Sequence, residues 1–141
     1  MTHEDMISMI KDHEGFRRQP YKDTTGHLTI GYGTNLEAGI SERQADALLW
    51  IHIEDRILKP LQHHGWFSKL DDTRKAVIID MAYNLGLTGL LSFRNMINAL
   101  ENNNYKKAAD EMKNSLWYTQ VRRRAQTLCR LMEKGDDSVL I

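Results

Sequence analysis

Apolar and polar positions follow two different rhythms along this chain. Near the N-terminus, Met6, Ile7, Met9 and Ile10 recur at helical spacing and predict a helix over about 4–13. Glu4 and Asp5 stand at its start, where the helix dipole favours negative charge. Glu14 comes four residues after Ile10 and seven after Ile7, so it continues the apolar stripe, and Gly15 ends the helix. The rhythm then shortens. Phe16 to Gln19 reads as connecting chain and Pro20 opens an extended segment. Tyr21-Lys22-Asp23 and His27-Leu28-Thr29-Ile30 flank Thr24-Thr25-Gly26, which predicts a β-hairpin with a glycine in its turn. Gly31-Tyr32-Gly33 reads as a continuing strand whose glycines mark a close approach of backbone or ligand.

Beyond a loop over 35–40 the helical period returns and persists. Ser41 and Gln44 form a capping-box pair ahead of a long helix reaching about Leu58 and stopped by Pro60. Residues 61–68 read as a polar connection. Asp71 or Asp72 caps a helix to Leu85 that is apolar nearly all round (Ala76, Val77, Ile78, Ile79, Met81, Ala82), which predicts the centre of a main lobe. Gly86 and Gly89 bracket a turn, Ser92 caps a helix to Leu100, and Asn102-Asn103-Asn104 is a turn. A helix from Tyr105 to about Asn114 follows, then a segment starting at Trp117-Tyr118. A last helix runs over 121–133 and is closed by Gly135, with fraying expected over 136–141.

Composition narrows the picture. At 141 residues the chain suits one domain with a real core. Its 19 basic and 19 acidic side chains cancel, so no basic surplus points to nucleic acid, and Arg122-Arg123-Arg124 is too short a run to change that. Cys129 has no cysteine partner and its helical spacing suits a small buried hydrophobe. Neither an HExxH motif nor paired Cys/His ligand spacing points to a metal, and no cofactor is expected. The GxG of Gly31 and Gly33 lacks the third glycine and following helix of a dinucleotide site. No cationic start with an apolar run, and no stretch of membrane-spanning length, is seen.

The candidate chemistry lies in two carboxylates. Glu14, on the apolar side of a helix end, is expected to be partly desolvated, which raises a carboxyl pKa and suits a general acid. Asp23 sits beside a turn, where aspartate serves equally as a turn former. A helix end followed by a hairpin is able to place two such groups across a cleft, as glycoside hydrolysis requires, and Thr29 is placed to hydrogen-bond a water there.

Glu14-Gly15 and then Tyr21-x-Asp23-x-x-Gly26-x-x-Thr29-Ile30-Gly31-x-Gly33 resemble the signature of the phage-type lysozymes, the muramidases of tailed bacteriophages. Gly39-Ile40-Ser41 with Gln44-Ala45 and Leu48-Leu49 is similar to the start of their inter-lobe helix. Arg74 to Gly86, Gly89, Phe93, Ala108-Ala109, Trp117-Tyr118 and Arg123-Arg124-Ala125 extend the resemblance over nearly the whole chain. It implies an α+β, mostly helical lysozyme-like fold. A small lobe over about 15–40 would carry the hairpin and a linking helix would run over about 41–59. A helical lobe over about 60–135 would include the N-terminal helix.

The activity implied is that of an endolysin hydrolysing the β-1,4 bond between N-acetylmuramic acid and N-acetylglucosamine in peptidoglycan, lysing the host cell. The resemblance makes Glu14 the general acid, gives Asp23 and Thr29 the attacking water or developing cation, and pairs Arg124 with Glu14. It places Tyr83, Asn84 and Arg124 against substrate. It further implies a monomer made in the host cytoplasm and released to periplasmic peptidoglycan through a holin lesion, without stable membrane insertion and without an appended wall-binding module. Two features depart from many relatives: Thr34 stands where a histidine follows the GxG, and the stretch over 35–40 is short. The alternatives are a lytic transglycosylase acting on the same substrate and a non-catalytic peptidoglycan-binding or structural protein on the same fold.

Overall fold

The computed structural model describes residues 1–136. The fold is α+β and mostly helical, and it divides into two compact units, Met1–Leu48 and Leu49 onward. Among the described residues no helix is long and apolar enough to cross a membrane, and no group of three His, Cys, Asp or Glu side chains could hold a metal.

The first unit holds α1 (His3–Glu14) and a three-stranded antiparallel sheet of β1 (Arg17–Lys22), β2 (Leu28–Gly31) and β3 (Thr34–Asn35), in that order. The helix starts one residue earlier than its apolar stripe suggests. Thr2 caps it, accepting from the Asp5 N–H at 3.0 Å, while Asp5 accepts from the Thr2 N–H at 2.9 Å. This reciprocal pairing satisfies two end groups. Gly15 ends α1 at φ 72°, as expected. The predicted hairpin is present, with Tyr21 opposite Thr29 and Lys22 opposite Leu28. β1 begins earlier than predicted, at Arg17, because an irregularity between Arg17 and Tyr21 absorbs Pro20, which has no N–H for a ladder.

Gly31-Tyr32-Gly33 is not a continuing strand. It turns the chain so that Ile30 pairs with Thr34 and Thr29 with Asn35. Positive φ at Gly31 (69°) and Gly33 (81°) makes that reversal possible. The periodicity of so short a third strand was too brief to read.

The capping box of Ser41 and Gln44 forms as predicted, with bonds of 2.8 and 3.1 Å. α2 (Glu42–Ile53) follows and runs into a π-helical segment, Glu54–Leu58, and then α3 (Lys59–Leu61). Pro60 therefore does not stop the helix. The wider turn just before it shifts the hydrogen-bond register, with Lys59 N–H reaching the Glu54 carbonyl, where a residue lacking an N–H must be accommodated.

The second unit is helical. Its further elements are α4 (Gly65–Ser68), α5 (Asp72–Leu85), α6 (Leu87–Leu91), α7 (Arg94–Glu101), α8 (Tyr105–Lys113), α9 (Leu116–Val121) and α10 (Arg123–Lys134). Residues 61–68 are more than a polar connection, because α4 buries Trp66 and Phe67. Two aromatic side chains in a short helix carry no detectable period, which is why the sequence pattern misses them. Asp71 is the cap of α5, accepting from the Arg74 N–H at 3.1 Å. The centre of the core is α5, as its all-round apolar character predicts, with Val77, Ile78, Met81 and Ala82 buried.

The expected turn at Gly86 and Gly89 is instead the helix α6. Ser92 does not cap α7. Its hydroxyl donates back to the Gly89 carbonyl at 2.6 Å, closing α6, and Phe93 occupies the cap position. Asn104 caps α8 and Ser115 caps α9. Cys129 is a free thiol with 1% exposure, and burial pushes its pKa up to about 11, so it behaves as a small hydrophobe. α10 ends at Gly135 in the left-handed conformation. Of the fraying expected over 136–141, the part from 137 on lies outside the described residues.

Candidate functional site

Glu14 is the last residue of α1, and two contacts from that helix end fix where it points. Lys11 Nζ lies 5.4 Å from the centre of the Tyr32 ring, and the Phe16 ring stands 5.6 Å from the same ring. Tyr32 is flanked by Gly31 and Gly33, so these contacts bring the helix end against the β2–β3 turn. Glu14 Oε2 consequently occupies the space beside Gly33, 2.8 Å from where a Cβ on that residue would sit. Of the two glycines expected to mark a close approach of backbone or ligand, only Gly33 has a near neighbour, and it is the Glu14 side chain; Gly31 has open space. Glu14 is exposed, however, and no residue of α1 is buried. The partial desolvation expected from the apolar stripe is not found, because periodicity tells which residues share a face and not what covers it. Among the described residues no hydrogen bond or ion pair falls on the Glu14 carboxylate.

Asp23 closes the β1–β2 hairpin. Its Oδ1 accepts three hydrogen bonds: from the Thr25 N–H at 2.9 Å, the His27 N–H at 2.9 Å and the Thr25 hydroxyl at 2.8 Å. The bond from the His27 N–H, then that from the Thr25 hydroxyl, holds the carboxyl below its ordinary pKa, because each favours the anion. Asp23 is therefore the turn former its position suggested. It also keeps one oxygen in reserve, since Oδ2 has no protein partner among the described residues.

Thr29 is in the middle of β2 and is 3% exposed. Its hydroxyl donates to the His27 carbonyl at 2.9 Å, and the Asp23 N–H donates to that same oxygen at 2.9 Å. One carbonyl thus joins two of the three residues singled out in the sequence.

In the second unit, Tyr83 and Arg124 line a groove of about 510 Å³ with an apolar wall that includes Leu49, Trp50 and Ile79. Tyr83 is 47% exposed, and its ring and that of His52 meet edge to face at 5.3 Å between centres. Asn84 uses its Oδ1 to accept the indole N–H of the nearly buried Trp117 at 2.9 Å. Arg124 has Asp80 as its ion-pair partner, through Nε to Oδ1 at 2.7 Å and Nη2 to the Asp80 carbonyl at 3.2 Å. Asp80 was missed because nothing in its spacing separates it from other helix-surface aspartates. Thr25 and His27 were missed because they were read only as turn and strand residues. Thr34, in place of the usual histidine, is an exposed residue of β3.

A small sheet flanked by a helix ending in glutamate, with an aspartate-bearing hairpin and a helical second unit, defines a lysozyme-like α+β protein. The sequence model of the phage lysozyme family matches residues 11–133, and the chain belongs to that family. It is 29% identical to a protein named probable T4-type lysozyme 1 of Dictyostelium discoideum, with 92% of this chain and 96% of that protein covered. Probable T4-type lysozyme 2 of the same organism is 24% identical over 92% of this chain and 96% of its own length. The pre-baseplate central spike protein Gp5 of Enterobacteria phage T4 is also 24% identical, over 93% of this chain but 28% of its own length.

Proposed function

We propose that this protein is a muramidase that hydrolyses the β-1,4 bond between N-acetylmuramic acid and N-acetylglucosamine in peptidoglycan. The observation that carries the reading is a pair of carboxylates, both inside the family-matched residues, each with an oxygen that has no hydrogen-bond partner among the described residues. In this reading Glu14 is the general acid that gives a proton to the leaving glycosidic oxygen. Asp23 Oδ2 stabilises the oxocarbenium-like transition state and receives a proton from the water that adds to the anomeric carbon. Thr29 has already committed its only hydroxyl hydrogen to the His27 carbonyl, so toward a water it offers lone pairs alone. A water held by Thr29 and Asp23 Oδ2 points its hydrogens at both, leaving its own lone pair for attack. Tyr83, Asn84 and Arg124 bind the glycan strand.

The proposal extends to an endolysin role. The chain acts as a monomer from the host cytoplasm, reaches periplasmic peptidoglycan through a holin lesion and lyses the cell. Clearing of purified peptidoglycan by wild type and Glu14→Gln tests the enzymatic core of this reading. The variant keeps its circular dichroism and thermal transition and loses clearing, whereas undiminished clearing by a folded variant overturns the assignment.

A further inference from the structure

The hairpin that carries Asp23 contains a hydrogen-bonded chain that the reaction as described does not use. Thr25 Oγ1 lies 2.8 Å from Asp23 Oδ1 and 2.6 Å from His27 Nδ1. A hydroxyl has one hydrogen to give. Asp23 Oδ1 is an acceptor, so that hydrogen goes to the carboxylate, and the short contact on the other side needs the imidazole to donate. The network therefore assigns His27 the Nδ1–H form, and hydrogen bonds run in one direction, from His27 Nδ1–H to Thr25 Oγ1 and from Thr25 Oγ1–H to Asp23 Oδ1. Two backbone N–H groups complete the hold on that oxygen. Three donors on one carboxylate oxygen saturate it.

We propose that Thr25 and His27 are positioning residues of the reaction: they clamp Oδ1 of Asp23 so that Oδ2 alone is presented to the reacting water. The inference rests on the assignment of Asp23 as the water-side carboxylate, and it deepens that assignment by naming what holds the group in place. The backbone donors alone would fix the turn but leave the carboxylate plane less defined. The hydroxyl, itself held by the imidazole, supplies the third direction. Such a clamp matters because catalytic geometry is sensitive to displacements of an ångström. It also keeps Oδ2 anionic, since each bond to Oδ1 stabilises the charged carboxylate. His27 Nδ1 stands 3.9 Å from Asp23 Oδ1, Lys22 ends β1 next to it in the chain, and Glu37, beyond β3, turns its Oε1 to the N–H of Leu28 at 3.3 Å.

The test compares wild type with Thr25→Val, Thr25→Ser, His27→Asn, His27→Ala and Asp23→Asn on purified peptidoglycan. Steady-state rates are read across pH, and the Asp23 carboxyl is titrated by carbon NMR. Valine keeps the shape of threonine and removes the hydroxyl. Thr25→Val loses about tenfold to a hundredfold in kcat, with KM near the wild-type value. The acid limb of kcat/KM and the Asp23 titration both move to higher pH. Thr25→Ser restores both. His27→Asn, which retains an N–H donor, stays closer to wild type than His27→Ala. If Thr25→Val does not fold, the His27 pair carries the comparison by the same readouts. Wild-type kcat and an unmoved Asp23 titration in Thr25→Val, or in both His27 variants, overturn the clamp while leaving the muramidase reading intact provided Asp23→Asn is inactive. An active Asp23→Asn removes the assignment of Asp23 itself, and the clamp's role in the reaction falls with it.

Discussion

Glu14 and Gly33 share one small volume: the carboxylate oxygen Oε2 lies 2.8 Å from the position a Cβ on Gly33 would take. Any side chain at residue 33 must push the carboxylate aside. The backbone there also stands at φ 81°, a conformation that favours glycine. Gly31, two residues earlier, has a similar φ of 69° but open space around its Cβ position. The two glycines thus separate backbone strain from displacement of Glu14. Gly31→Ala and Gly33→Ala each lose about 1 kcal/mol of stability. Only Gly33→Ala is expected to lose about tenfold or more in wall-lysing activity per folded molecule. Thermal unfolding and peptidoglycan clearing of the two variants check this, and equal activities would show that Gly33 serves the turn alone.

Asp23 gives a pH dependence whose sign follows from its bonds. Its carboxyl is held below the ordinary value, first by the His27 N–H and then by the Thr25 hydroxyl. A group with a lowered folded pKa contributes stability that is fully present above its unfolded value, about 3.9, and is lost as pH falls through the folded one. The stability difference between wild type and Asp23→Ala is therefore expected to be constant from neutral pH down to about pH 5 and to shrink in more acidic solution. Thermal midpoints of both proteins between neutral and strongly acidic pH measure it. A gap that widens on acidification would contradict the hydrogen-bond account.

Arg74 ties the N-terminal turn of α5 to the C-terminal end of α10. Its Nε donates to the Met132 carbonyl at 2.6 Å, Nη2 to the Glu133 carbonyl at 2.9 Å and Nη1 to Asp71 at 3.0 Å. Its guanidinium carbon lies 3.6 Å from the centre of the Tyr105 ring. The cation thus satisfies carbonyls at the C-terminus of α10, where the helix dipole is negative, while remaining mostly buried itself. Arg74→Ala is expected to cost on the order of 2–3 kcal/mol. Arg74→Lys is expected to recover less than half of that, because an ammonium cannot reproduce the fork or the stacking. Denaturant titration reads the loss. Activity per folded molecule stays near wild type, and an intact midpoint in Arg74→Ala would refute this role.

The sequence was most legible where one residue type has one physical use. The Ser41–Gln44 capping box, the Gly15 and Gly135 helix ends, the Thr24-Thr25-Gly26 turn and the apolar surround of α5 all appear where pattern and chemistry placed them. It was least legible where the outcome depends on a residue's neighbours in space. Ser92 looked like a cap and instead bonds backward to Gly89, and Trp66 and Phe67 entered the core from what looked like a loop. The candidate site divides in the same way. Gly31 and Gly33 pointed to a close approach of backbone or ligand, whereas what stands beside Gly33 is the Glu14 side chain and Gly31 has open space. Asp23 looked ambiguous because turn former and catalyst use the same residue, and the structure puts its turn-forming bonds on Oδ1. Thr25, His27 and Asp80 carried no sequence signal, since a hydroxyl, an imidazole and a surface carboxylate gain meaning only from the partner they face.

The central claim concerns a bond and the way it breaks, so the products test it most directly. Purified peptidoglycan digested with the wild-type protein and analysed by mass spectrometry should yield fragments ending in reducing N-acetylmuramic acid, each carrying one added water. Fragments ending in 1,6-anhydro-muramic acid would show a lytic transglycosylase instead, and an unchanged polymer would contradict catalysis altogether.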